Sequence, residues 1–192
     1  MCPSNPHPDA DATQLPRRLE RTVVYESEWI NLYTDKVLLP SGRIIEKYHQ
    51  LDYPSASVSI LAVNDRNELC LIRSLRYTTQ SVEWEVPAGS IEHGETPDEA
   101  ARREFYEETG LRLATVREFI AYTPSHGMSN QQILVTYGRT AGRDPDHFDK
   151  DETVSVHWFA TDQVRSMIAR GEVTDGVTLM PLLFYLAGFL AL

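Results

Sequence analysis

From Gly89 to Leu111 the chain reads GSIEHGETPDEAARREFYEETGL, and this stretch decides the fold. It spells one helix with both ends marked. Thr96 is suited to the N-cap, Pro97 to the first helical position, and Glu99 to the reciprocal half of a capping box. Asp98 and Glu99 sit where the helix dipole favours negative charge. They also stand four residues before Arg102 and Arg103, the better orientation for pairing along a helix. Gly110 supplies the left-handed residue that stops the helix. The pattern predicts a helix over Pro97–Thr109.

Strand-like runs lie on both sides of it. Before it come residues 22–25, 30–39, 43–49, 57–63, 69–72 and 82–86, with a turn at Pro40, Ser41 and Gly42. After it come 115–122, 132–137 and 154–159, then helices over 162–170 and 181–190. A linker rich in Gly, Asp and Pro covers 141–152. Strands outnumber helices, which predicts an α+β fold, a mixed sheet with helices packed on it.

The 192 residues suit a single domain over 17–192, preceded by a flexible tail over 1–16. Hydrophobic residues make up 42% of the chain, enough for a core, so global disorder is excluded. The net charge of −10 argues against a nucleic-acid binder, which would need a basic surface. No secretory leader is visible, and residues 177–192 are too short and too interrupted by Pro181 and Gly188 to span a membrane. Cys2 and Cys70 lie in unlike surroundings, so no disulfide framework is expected and a reducing, cytoplasmic setting fits. His93, His126 and His157 lack the spacing of a zinc site.

Charge is concentrated rather than spread. Residues 92–108 hold seven acids against two arginines, half of the net charge of the chain. Glu104, Glu107 and Glu108 fall at i, i+3 and i+4, so three carboxylates share one helix face. They also crowd the helix C-terminus, where the dipole disfavours anions. A compensating cation is required, and hard oxygen donors with incomplete protein coordination favour Mg²⁺ or Mn²⁺.

The same stretch resembles the Nudix box. Gly89, Glu95, Arg103, Glu104, Glu107, Glu108 and Gly110 occupy its fixed positions, with Phe105 and Leu111 at the apolar ones. Seven fixed identities match by chance roughly once in a billion starting points. The resemblance implies a Nudix hydrolase with an α/β/α sandwich around a mixed sheet and an N-terminal antiparallel strand extension. It implies metal binding by Glu104, Glu107, Glu108 and the carbonyl of Ala88, with Arg103 steadying the glutamates.

Further segments, LIRSLRY at 71–77, VEWEVPAG at 82–89, YTPSHGMSNQ at 122–131 and GEVTDGVTL at 171–179, resemble the ADP-ribose pyrophosphatase group. Pro124, thirteen residues past Leu111, resembles the proline that follows the box in that group. The group resemblance implies hydrolysis of ADP-ribose or a related nucleoside diphosphate sugar to NMP and sugar phosphate. GDP-mannose is the alternative substrate, and a non-catalytic ADP-ribose sensor the alternative class. Arg76 and Arg73 are the expected phosphate or ribose contacts, since the arginine fork fits a phosphate. Trp29 resembles the group's adenine-stacking aromatic. A glutamate after the box activates water in this group; Glu152 is the first candidate, Glu107 the second, and Asp149 and Asp151 lie beside the first. Ser129, Asn130, Gln131 and Gln132 replace an acidic stretch of some members, a departure that touches substrate contacts. A homodimer formed through residues 17–50 is the expected assembly.

Overall fold

The computed structural model describes residues 15–141 and 148–189. The expected tail up to residue 14, residues 142–147 of the linker and Leu190 of the last helix lie outside them. Two compact units divide the chain.

The smaller unit reaches Ser55 and adds residues 123–131. Strands β1 (Arg17–Tyr25), β2 (Asn31–Leu38) and β3 (Ile44–Asp52) form an antiparallel sheet in that order. Gly42, at φ 83°, lets the β2–β3 turn close. An ion pair between exposed Arg21 and buried Asp35 pins β1 to β2. Arg21 grips Asp35 with two hydrogen bonds of 2.8 and 2.7 Å, and its Cζ stands over the Tyr33 ring, 4.0 Å from the centre. The returning segment 123–131 is tied to β3 by Leu51, whose N–H donates to the Met128 carbonyl, and by Asn130. Asn130 accepts from the Tyr53 N–H and donates to Asp52, both at 2.7 Å.

The larger unit is built on a seven-stranded mixed sheet. Its strands are β4 (Ser57–Val63), β5 (Leu69–Arg76), β6 (Ser81–Glu85), β7 (Ala88–Ser90), β8 (Arg112–Tyr122), β9 (Ile133–Ala141) and β10 (Thr153–Phe159). The order β10-β5-β4-β9-β8 carries one parallel pair, β4 with β9. Strands β4 and β5 pair only at Val63 and Leu69 before they part. Beyond that point β6 pairs with β5, and β7 with β4. The short AGS strand β7 was not anticipated, because two small residues and a serine carry no strand signal.

Alternation along β4 sorts the core into two layers. Val58, Ile60 and Ala62 pack with Cys70 and Leu134 against Ala100, Ala101 and Phe105 of helix α1 (Pro97–Thr109). Leu61 and Val63 pack with Leu69 and Leu71 against Val164, Met167 and Leu182, from helices α2 (Thr161–Ala169) and α3 (Gly176–Leu186). The sheet is thus covered on both faces, as an α/β/α sandwich requires.

Helix α1 has the expected caps. Thr96 and Glu99 form the reciprocal box, and Gly110 is left-handed at φ 68°. One expected pair is not made: Glu99 serves the box, and Arg103 turns to Glu95, Glu104 and Glu107 instead of Glu99. Asp98 does pair with Arg102, at 3.0 Å. Helix α3 starts five residues earlier than the proline suggested. Asp175 caps it by accepting from the Thr178 N–H at 2.9 Å, and Pro181 lies inside it. The bond that Pro181 cannot donate would have gone to the Val177 carbonyl. Ser59 Oγ donates to that carbonyl at 2.9 Å, so the acceptor is satisfied from the sheet. Among the described residues no helix is long and apolar enough to cross a membrane.

Candidate active site

Glu104, Glu107 and Glu108 occupy the last turns of α1, and their spacing turns them to one side. A cleft of about 550 Å³ opens over that side, lined by Arg103, Glu104, Tyr106, Glu107, Glu108, Phe148, Asp149 and Glu152. The loop before β10 is fastened to the helix. The Asp149 N–H donates to the Glu107 carbonyl at 2.8 Å, and the Leu75 N–H donates to the Glu152 carbonyl at 2.8 Å. Glu152 therefore shares the cleft with all three box glutamates.

The three carboxylates are held differently. Glu108 is buried, 5% exposed, and accepts from the Ala88 N–H at 2.9 Å. Burial pushes its carboxyl up to about 8, against that hydrogen bond, and the charges of Glu104 and Glu152 push the same way. Glu104 is also shifted upward, first by burial and opposed by Arg103. Glu107 is the exposed member.

Arg103 is the organising cation. Its Nε and Nη2 take both oxygens of Glu95, at 2.8 and 2.9 Å, and Nη2 also donates to the Ser90 carbonyl. Its Nη1 donates to Glu104 at 2.8 Å and to Glu107 at 3.1 Å. Glu95 is thus the clamp that fixes Arg103, a role its box position did not reveal. Gly89 has an equally specific reason. A Cβ there would stand 2.0 Å from Glu104 Cδ, so only glycine lets the carboxylate cross β7.

The expected substrate residues sit as follows. Arg76, at the end of β5, is paired with the buried Glu85 at the end of β6. Arg73 lies over the Trp84 ring, 4.8 Å from its centre. Trp29 belongs to the smaller unit and is exposed. Asn130, in the neutral stretch noted above, is committed to Tyr53 and Asp52. Tyr106 and Phe148 were missed as cleft residues. Tyr106 fills a variable box position, and Phe148 follows a polar run of sequence and carries no local signal of its own.

A model of the NUDIX domain matches residues 54–179. The chain belongs to the Nudix family. The Nudix chain is similar to an ADP-ribose pyrophosphatase of Bacillus subtilis, 27% identical over 84% of this chain and 88% of the relative. It is also similar to a CMP-5'-(N-acetyl-N-hydroxy-3-aminopropyl)phosphonate hydrolase of Streptomyces rubellomurinus, 28% identical over 82% of this chain and 76% of that one. Among solved structures, the crystal structure of an ADP compounds hydrolase superposes with a TM-score of 0.81. It covers 94% of this chain and 98% of its own at 18% identity, which establishes the shared fold.

The acidic cleft fits a hard divalent cation by donor chemistry. Two of its carboxylates are desolvated and shifted upward, so they carry negative charge only at a cost that a cation would offset. Among the described residues the carboxylates are not gathered into a three-ligand set. Arg103 holds Glu104 at 2.8 Å and Glu107 at 3.1 Å.

Proposed function

We propose that this Nudix protein is a Mg²⁺-dependent pyrophosphatase that hydrolyses ADP-ribose, or a related nucleoside diphosphate sugar, to NMP and sugar phosphate. The observation that carries the reading is the cleft itself, in which three box glutamates from one helix share the lining with Asp149 and Glu152. The names of the relatives, one for ADP-ribose and one for a CMP conjugate, support a nucleotide joined through phosphorus to a second group.

Glu104, Glu107 and Glu108, with the Ala88 carbonyl, would hold Mg²⁺, and Mn²⁺ would substitute. Bound there, a divalent ion would supply charge screening for the pyrophosphate and would lower the pKa of a nearby water. Glu152 takes the proton of the water that attacks one phosphorus, with Glu107 as the second choice. The P–O–P bond breaks, and the departing phosphate leaves on the other half of the substrate. Arg103 keeps Glu104 and Glu107 oriented throughout. Arg76 and Arg73 bind the phosphates or the terminal ribose, and Trp29 stacks the base, which tolerates more than one base.

Residues 17–192 act as one functional domain in this reading, and the strands of 17–50 join two copies. Every residue of β1 is exposed, Val23, Val24 and Tyr25 among them, which supports such a contact. The buried free thiol of Cys70 suits a reducing cytoplasm. The test is product analysis with ADP-ribose, GDP-mannose and CMP conjugates in Mg²⁺. AMP and ribose 5-phosphate are expected from ADP-ribose, and no turnover on any of the panel overturns the reading. Light scattering tests the dimer, which a monomer would exclude.

A further inference from the structure

We propose that Glu85 is a positioning residue for Arg76, gripping the Nε–Nη2 edge of the guanidinium so that its Nη1–Nη2 end is offered to a substrate phosphate. The inference rests on the functional reading above and adds to it a residue outside the box.

The pair is not a product of strand register. Along the β5–β6 hairpin Arg76 stands opposite Ser81, and Glu85 stands opposite Ile72. The arginine must therefore lie back along the hairpin to reach its partner. That path brings its charge within range of Glu108 and Asp175. Arg76 Nε donates to Glu85 Oε1 at 2.8 Å, and Nη2 donates to Oε2 in a closer contact. Nη1 has no partner among the described residues. The free fork is the edge that can hold two oxygens of one phosphate.

Burial decides which group moves. The Glu85 side chain is 6% exposed, whereas that of Arg76 is 45% exposed. Arg76 is the hydrogen-bond donor to Glu85 among the described residues, so releasing it would leave a buried carboxylate unpaired. An arriving phosphate therefore takes the free edge rather than displacing Glu85. A bidentate grip also fixes the guanidinium plane, so less rotamer freedom remains to be lost when substrate binds.

The test compares wild type, E85Q, E85D, R76A and R76A/E85Q, all full-length. Readouts are kcat and KM with ADP-ribose, and calorimetric binding of its non-cleavable α,β-methylene analogue. E85Q should raise KM and the analogue Kd by about tenfold, with kcat changed by less than about threefold. E85D keeps the charge and should restore part of the loss, which also guards against a misfolded E85Q. In the R76A background E85Q should add no further loss of binding. Unchanged KM in a folded E85Q, or fully additive losses in the double variant, overturns the proposal. Wild type that binds the analogue while E85Q binds it equally refutes this inference alone. Wild type that neither binds nor cleaves refutes the functional reading and this inference together.

Discussion

At the scale of single residues, the site is governed by what lies beside each carboxylate. Glu108 keeps its proton up to about 8 in the folded chain, against an ordinary 4.5. Between those values the folded chain binds a proton that the unfolded chain has released, so stability of the metal-free protein falls as pH rises through that window. Thermal melts in EDTA should decline from pH 5 to pH 8, and added Mg²⁺ should reverse the decline. Glu108→Gln removes the titrating group while retaining an acceptor for the Ala88 N–H. Its melts should decline less over the same range, because only the upward-shifted Glu104 remains, they should be insensitive to Mg²⁺, and turnover should be lost. Gly89→Ala tests the neighbour. Because the new methyl group would occupy the space of the Glu104 carboxylate, kcat should fall about 100-fold while circular dichroism stays unchanged. Retained activity in this variant would remove Glu104 from the site. The box glutamates were legible in the sequence because three acids on one helix face need an explanation. The clamp by Glu95 was not, because its partner Arg103 had three other acids, Glu99, Glu104 and Glu107, in local reach.

Local rules read the elements unevenly. Helix α1 was readable to the residue, since every one of its capping signals is local. Helix α3 was misread because a proline normally marks a helix start, and the compensating donor lies more than a hundred residues away on β4. Ser59→Ala removes that donor from the partly buried Val177 carbonyl. A loss of about 1–3 kcal/mol is expected in urea unfolding, with no change in KM. Ser59→Thr keeps the hydroxyl and should recover part of it. The start of α2 shows a milder form of the same limit. Ala160 offers no capping side chain, and Gln163 instead accepts from the Ala160 N–H at 2.8 Å.

For the molecule as a whole, charge and topology set the terms. The smaller unit depends on a charge pair where the larger has two apolar layers. Arg21 holds the Asp35 carboxyl below its usual range, so the pair contributes fully above the ordinary carboxylate value and is lost as pH falls through the depressed one. Protease cleavage within β1 and β2 should therefore accelerate below about pH 4, and Asp35→Asn should show that acceleration at neutral pH. Equal cleavage of the two proteins at pH 7 would show the pair to be dispensable. The general architecture was legible because nine of the ten described strands and all three described helices carry a local signal. The parting of β4 from β5 was not, because it depends on which strand each edge finds.

That parting has a cost for any future change to the chain. The insert that fills the gap delivers Glu85 to Arg76 and, three residues later, the Ala88 amide to Glu108. Two distant anchors thus hang from one tetrapeptide of fixed length. Adding or deleting a single residue between them would shift one anchor against the other, so loops elsewhere can grow or shrink while this short span must keep its count.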